Sequence, residues 1–177
     1  GRSVVGQIGK RVIGRVFITD TSDDFIEKPF WKLKVGAIVQ VRVIAMKPGG
    51  EIDLSMRKSL LQDASSTAKL VIANPEIHNA GNLEPGQEVS GYVKSVSKKG
   101  CFVALSRSLD ALTKLSNLSD EFIETPSDYF PTGKLVRGRV LSVDAKTNRM
   151  EMSLRKAQGD PRMPDKDAIE TLKASDV

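Results

Sequence analysis

The stretch Tyr92-Val-Lys-Ser-Val-Ser-Lys-Lys-Gly-Cys-Phe-Val-Ala-Leu105 decides the fold, because apolar residues recur at every second position on both sides of Lys98-Lys-Gly100. Period-two alternation marks a strand with one face in a core, and a Lys-Lys-Gly step between two such runs marks a tight turn. On the first run Val89, Gly91 and Val93 alternate with Ser90, Tyr92 and Lys94; on the second, Cys101, Val103 and Leu105 alternate with Phe102 and Ala104. Working outward, Glu84-Pro-Gly86 precedes the first strand, Pro131-Thr-Gly133 a fourth, and Asp144-Ala-Lys-Thr-Asn148 a fifth in which Met150, Met152 and Leu154 alternate with Arg149, Glu151 and Ser153. Five short strands over residues 83–156 predict a small closed barrel, since closure removes the edges that so small a sheet would expose. Ser119 to Phe130 is long enough for a helical turn between strands three and four, with Ser119 as its N-cap.

The same pattern occurs twice. At an offset of 97 residues, Ser22-Asp-Asp-Phe-Ile-Glu-Lys-Pro29 falls on Ser119-Asp-Glu-Phe-Ile-Glu-Thr-Pro126, and the register continues through Gly36/Gly133, Val39/Val136, Arg42/Arg139 and Val43/Val140. After a one-residue gap, Asp53-Leu-Ser-Met-Arg-Lys58 matches Glu151-Met-Ser-Leu-Arg-Lys156. An internal duplication is read from this. Because Val4-Val5 falls on Cys101-Phe102, the counterpart of the first strand would lie upstream of Gly1. The opening Gly-Arg-Ser, with no initiator Met, reads as a piece of a longer chain. The expected fold is all-β: two tandem five-stranded OB-fold barrels, the first lacking its first strand, joined by a partly helical linker. The boundaries are 1–58 for the first barrel, 59–82 for the linker, 83–157 for the second barrel and 158–177 for a flexible tail. The linker pattern predicts a helix over Ser59–Ala73, ended by Pro75 and Gly81, and the tail a helical turn around Asp165–Lys173.

Composition narrows the chemistry. The 177 residues carry 27 Lys and Arg against 22 Asp and Glu, one His and one Cys. Residues 1–58 hold 11 basic and 6 acidic side chains and 83–157 hold 12 and 9, so the positive charge sits on the two barrel segments. No apolar run approaches the roughly eighteen residues of a membrane span, so no membrane partner is expected. Cys101 and His78 cannot assemble a four-ligand zinc site, and no metal or other cofactor is implied. His78 lies in the linker, and Asp23-Asp24 and Asp120-Glu121 occupy matching strand-to-helix junctions where capping explains them. No general acid, base or nucleophile constellation appears, so the chain reads as non-catalytic. Cys101 falls on the buried strand phase, and Phe30 and Trp31 are expected to plug the bottom of the first barrel.

Tyr92 to Leu105, followed by Ala111-Leu-Thr-Lys-Leu-Ser116 and Arg149-Met-Glu-Met-Ser-Leu-Arg155, resembles the S-one (S1) RNA-binding domain, a five-stranded OB-fold barrel. The phrasing Phe130-Pro-Thr-Gly-Lys-Leu-Val-Arg-Gly-Arg-Val-Leu-Ser-Val-Asp144 is similar to a narrower group, the eukaryotic ribosomal RNA-processing protein five family. That resemblance implies a nucleolar, and so nuclear, ribosome biogenesis factor that contacts single-stranded precursor ribosomal RNA alongside other assembly factors. The family's usual aromatic, aromatic and His positions carry Lys99, Phe102 and Lys114 in the second copy; in the first, Val5 stands at the second aromatic and Phe17 at the His.

Single-stranded RNA is held by aromatic faces that stack bases and cations that follow phosphates. The candidate contact residues are Phe102, Lys99, Lys114, Tyr92 and Lys94 on the second copy, and Phe17 with Arg15 on the first. Tyr92 and Lys94 share the outward strand phase with Phe102. A protein-docking scaffold with little RNA affinity is the competing reading, and an auxiliary domain of a ribonuclease a third.

Overall fold

A computed structural model describes residues 2–62 and 74–156. The fold is all-β with few and short helices. Strands β1 (Ser3–Gly9), β2 (Val12–Phe17), β3 (Arg42–Met46) and β4 (Ile52–Ser55) form a four-stranded sheet in the order β1-β2-β4-β3. Strands β5 (Glu88–Ser97), β6 (Gly100–Ala104), β7 (Asp110–Lys114), β8 (Leu135–Asp144) and β9 (Arg149–Ser153) close into a barrel in the order β5-β6-β7-β9-β8. The closing pairs run from Glu88 opposite Arg139 to Tyr92 opposite Leu135.

The barrel core holds most residues of the inward phase, joined by Ala111, Val136 and Val140, while Leu154 is only partly buried. Val89, Val93, Cys101, Val103, Leu105, Ala111, Val136, Val140, Met150 and Met152 are all buried. Leu83 and Ala80 cover one end and Leu109 and Leu118 add to the packing. Room inside so small a barrel is short: a Cβ on Gly138 would stand 2.3 Å from the Ser153 carbonyl oxygen. Bulges bend the long strands, and two of them match across the duplication. Ile44 sits at the register shift of β3 on β4 and Leu141 at that of β8 on β9.

The sheet of residues 2–62 repeats the barrel's β6-β7-β9-β8 order, and among the described residues no strand takes the place of β5. It is an open sheet, with β1 and β3 as its edges. The consequence shows in matched positions. Val39 is 42% exposed where Val136 is 8%, and Val43 is 49% exposed where Val140 is 1%. Trp31 does not plug this sheet; it is exposed, with the Lys28 ammonium 5.0 Å from its ring centroid.

Two local expectations are corrected. Ser119 caps no helix: its hydroxyl accepts from the Glu121 N–H at 3.1 Å, and the short helix α2 (Pro126–Tyr129) begins later, where Pro126 supplies a preset φ. In the linker the described helix is α1 (Lys58–Leu61); the rest of the Ser59–Ala73 expectation, and the whole 158–177 tail, lie outside the described residues. Asp23 does serve α1, accepting the Ser59 N–H at 2.9 Å while it holds Arg57 Nε at 3.1 Å.

Candidate nucleic-acid interface

Phe102 stands on the outer wall of the barrel, half-buried, opposite Leu112 of β7 and Ser95 of β5. Its neighbours in strand, Cys101 and Val103, point into the core. The turn 98–99 then places two cations at one end of this wall, because Gly100 pairs with Lys114. Only glycine fits that corner: its φ is +143° and a Cβ would lie 2.1 Å from the Thr113 carbonyl oxygen. Lys99 is exposed, its N–H bonded to the Ser97 hydroxyl at 3.2 Å, with no side-chain ion pair among the described residues.

The other candidate cations, Lys114, Lys94 and Arg15, are already engaged. Lys114 Nζ meets Glu151 Oε2 at 3.0 Å, and the Lys94 ammonium, in the bulge between Val93 and Ser95, bonds the Asp110 carboxylate. On the first sheet Arg15 reaches Glu51 at 3.2 Å and Asp53 at 3.5 Å, and its guanidinium carbon lies 4.6 Å from the Phe17 ring centroid. These pairs are partly exposed, so each gives little stability, yet each carboxylate cancels positive potential where a phosphate would come.

Tyr92 is placed differently from the expectation. Its outward phase is correct, but residues 25–26 cover it, leaving 1% exposed. The phenol donates to the Ile26 carbonyl at 2.9 Å and accepts from the Ile26 N–H at 3.0 Å, and the ring lies 5.0 Å from that of Phe25. Burial pushes its pKa up, against the opposing effect of the bond to Ile26. Tyr92 offers no free ring face to a base; it fastens the two sheets together.

That junction brings four of the seven candidates to one place. Arg15 and Phe17 from the first sheet and Tyr92 and Lys94 from the barrel line a cleft of about 220 Å³, together with Arg2 and Arg107. Phe102, Lys99 and Lys114 lie outside it. Nothing in the sequence pattern singles out Arg107, which gains its place only because the first sheet packs beside the β6–β7 connection. Its Nη2 meets Glu76 at 3.3 Å and its Nη1 is buried with no partner among the described residues. Cys101 is enclosed in the core, and burial pushes its thiol up to about 11, so it offers no thiolate. No group of three or more metal-ligating side chains occurs among the described residues.

Residues 83–154 match the family model described as the RRP5 S1 domain. The chain carries an S1-type RNA-binding domain that resembles those of the RRP5 family. It is 36% identical over 163 residues to the rRNA biogenesis protein RRP5 of Arabidopsis thaliana, covering 84% of this chain and 8% of that protein. It is 30% identical over 153 residues to rRNA biogenesis protein rrp5 of Schizosaccharomyces pombe, covering 86% and 9%. The chain thus spans less than a tenth of the length of these two relatives. The solution structure of GSP13 from Bacillus subtilis aligns with a TM-score of 0.40 at 23% identity, over 51% of this chain and 71% of that one.

Proposed function

We propose that this chain is a non-catalytic RNA-binding portion of a ribosome biogenesis factor, and that its barrel contacts single-stranded precursor ribosomal RNA. The observation that carries the reading is Phe102, standing on the outer wall beside Leu112 with Lys99 and Lys114 at the same end. A base stacked on Phe102 would place its phosphates toward those cations. A strand leaving in the other direction would meet Lys94 and then the cleft of Arg15 and Arg107. The first sheet is a second S1 barrel that lacks its first strand, a reading supported by its strand order and by the exposure of Val39 and Val43. Work on precursor ribosomal RNA places the factor in the nucleolus among other assembly factors.

The test is single-stranded RNA binding across a salt series. A phosphate contact gives a log-log slope near 0.7 per site, so Lys99→Gln should flatten the slope by about 0.7. Phe102→Ala should weaken binding by roughly 1–3 kcal/mol, with thermal unfolding as the check on the fold. A second reading, a protein dock with little RNA affinity, draws support from the Glu151 and Asp110 carboxylates that occupy two of the cations. Binding without any salt dependence, or none at all, would favour that reading over the first.

A further inference from the structure

The Phe25-Ile26 pair that receives Tyr92 has a duplicate. At the 97-residue offset it falls on Phe122-Ile123, in the same β7-to-β8 connection of the barrel. The two connections are clamped alike. Met56 N–H donates to the Asp20 carbonyl at 2.8 Å, and Leu154 N–H to the Asn117 carbonyl at 2.8 Å. Arg57 Nε donates to Asp23 at 3.1 Å, and Arg155 Nε to Asp120 at 2.9 Å. Each carboxylate also takes a backbone N–H just past its arginine, from Ser59 at 2.9 Å and from Lys156 at 2.9 Å. The duplicated receptacle therefore keeps these three bonds of the occupied one, to which Asn74 N–H adds a donation to the Asp23 carbonyl at 3.3 Å.

Its occupancy differs. Phe25 is half-buried against Tyr92, whereas Phe122 is 93% exposed. Ile26 has both backbone groups satisfied by one hydroxyl, whereas neither the N–H nor the carbonyl of Ile123 has a partner among the described residues. A groove lies alongside, with Leu115, Leu118 and Pro126 as apolar lining. A phenylalanine presented beside an open donor and an open acceptor fits an aromatic ring that carries one hydroxyl able to do both.

We infer that Phe122-Ile123 is the docking point for a further S1-type barrel, which seats a tyrosine from its first strand as Tyr92 is seated on Phe25-Ile26. The occupant is defined by the contact already present in this chain: the tyrosine ring packs on Phe122, and its hydroxyl accepts from Ile123 N–H and donates to Ile123 C=O. Successive modules would then be fastened by one repeated joint, with a fixed orientation between their outer walls. The inference is independent of RNA binding.

The test lengthens the protein. The complete 177-residue chain is followed by a second copy of residues 74–156, so that residues 157–177 stand where 59–73 stand between the existing units. Amide exchange of Ile123 should slow at least tenfold relative to the original chain, approaching that of Ile26. A Tyr-to-Phe change in the added barrel alone should restore the original rate. Equal Ile123 exchange in the two chains, or slowing that survives the Tyr-to-Phe change, would overturn the inference. Phe122→Ala in the longer chain supplies a second reading, since so exposed a side chain is not needed for folding. It should release the added barrel and raise the radius of gyration by X-ray scattering; an unchanged radius would equally overturn the joint.

Discussion

Tyr92→Phe should loosen the first sheet from the barrel while leaving the barrel intact. The substitution removes one oxygen and keeps the ring, whose packing on Phe25 at 5.0 Å needs no hydroxyl. Two hydrogen bonds disappear, the donation to Ile26 C=O at 2.9 Å and the acceptance from Ile26 N–H at 3.0 Å. At a net worth of about 0.5–1.5 kcal/mol apiece, docking should weaken by about 1–3 kcal/mol. The upper end applies if both Ile26 groups stay buried and unpaired. Native-state hydrogen exchange separates the two levels of structure: the Ile26 amide should exchange some 5- to 150-fold faster, as that free energy implies, while amides of Val103 and Ala111 in the core change little. Phe25→Ala should lose more, and a double-mutant cycle should show strong coupling because both changes break one contact. Unaltered exchange at Ile26 would refute the account of the joint. Equal acceleration at Val103 would show instead that the hydroxyl supports the barrel itself.

Neutralising Glu151→Gln should free Lys114, strengthen single-stranded RNA binding and steepen its salt dependence by up to about 0.7 in log-log slope, measured by fluorescence anisotropy; a slope unchanged from the parent would place the phosphate path elsewhere. Asp20 is buried beside Arg57 and Arg107, and desolvation, partly offset by Arg107, raises its pKa from 3.8 to about 6. The native state then holds the extra proton between those values, so the contribution of Asp20 to stability is most favourable at low pH and falls as pH rises through that window. Asp20→Asn should accordingly gain up to about 3 kcal/mol at pH 7 and gain nothing below pH 4, in denaturant melts. Val140→Ala, at a side chain 1% exposed, should cost the barrel about 1.6 kcal/mol plus a cavity contribution, whereas Val43→Ala at the matched position, 49% exposed, should cost less than about 1 kcal/mol. Equal losses, read from local exchange in each unit, would mean that the first sheet is not open at that wall.

What was legible in the sequence is what depends on local periodicity. Val89, Val93, Cys101 and Val103 repeat at two because each strand has one face in a closed core, and the turn glycines mark where chain reversal needs space that a Cβ would fill. The matched strand order of the two sheets follows the same repeat, since Ile44 and Leu141 bulge at positions 97 residues apart. What a single sequence could not show is which outward positions another unit covers. Tyr92 and Phe102 have the same phase, yet one is sealed by Phe25 and Ile26 and the other remains on the open wall. Trp31 differs in the opposite sense: its size suggests a plug, but the ring stands exposed beside the Lys28 ammonium. The charge pairs were hidden too, since Lys114 meets Glu151 across neighbouring strands whose spacing in sequence carries no signal.

Those pairs bear on how such a protein could hold RNA. Each outer wall has few stacking rings, and Lys114, Lys94 and Arg15 are answered by Glu151, Asp110, Glu51 and Asp53, so a single module would offer a strand few free groups. Affinity in that case has to come from several walls acting on one strand, and the gain from linking sites depends on how well their spacing is fixed. A flexible connection between modules would spend much of that gain on orienting them. The Tyr92 joint removes this loss by fixing the first sheet against the barrel, and it leaves Arg15, Lys94 and Arg107 around a shared cleft on the path between the two walls. The same contact that covers the Tyr92 ring therefore sets the geometry by which the remaining groups would act together on a strand. It also explains why a tyrosine, with its single hydroxyl, serves at that position where phenylalanine would pack as well but leave the Ile26 backbone unpaired.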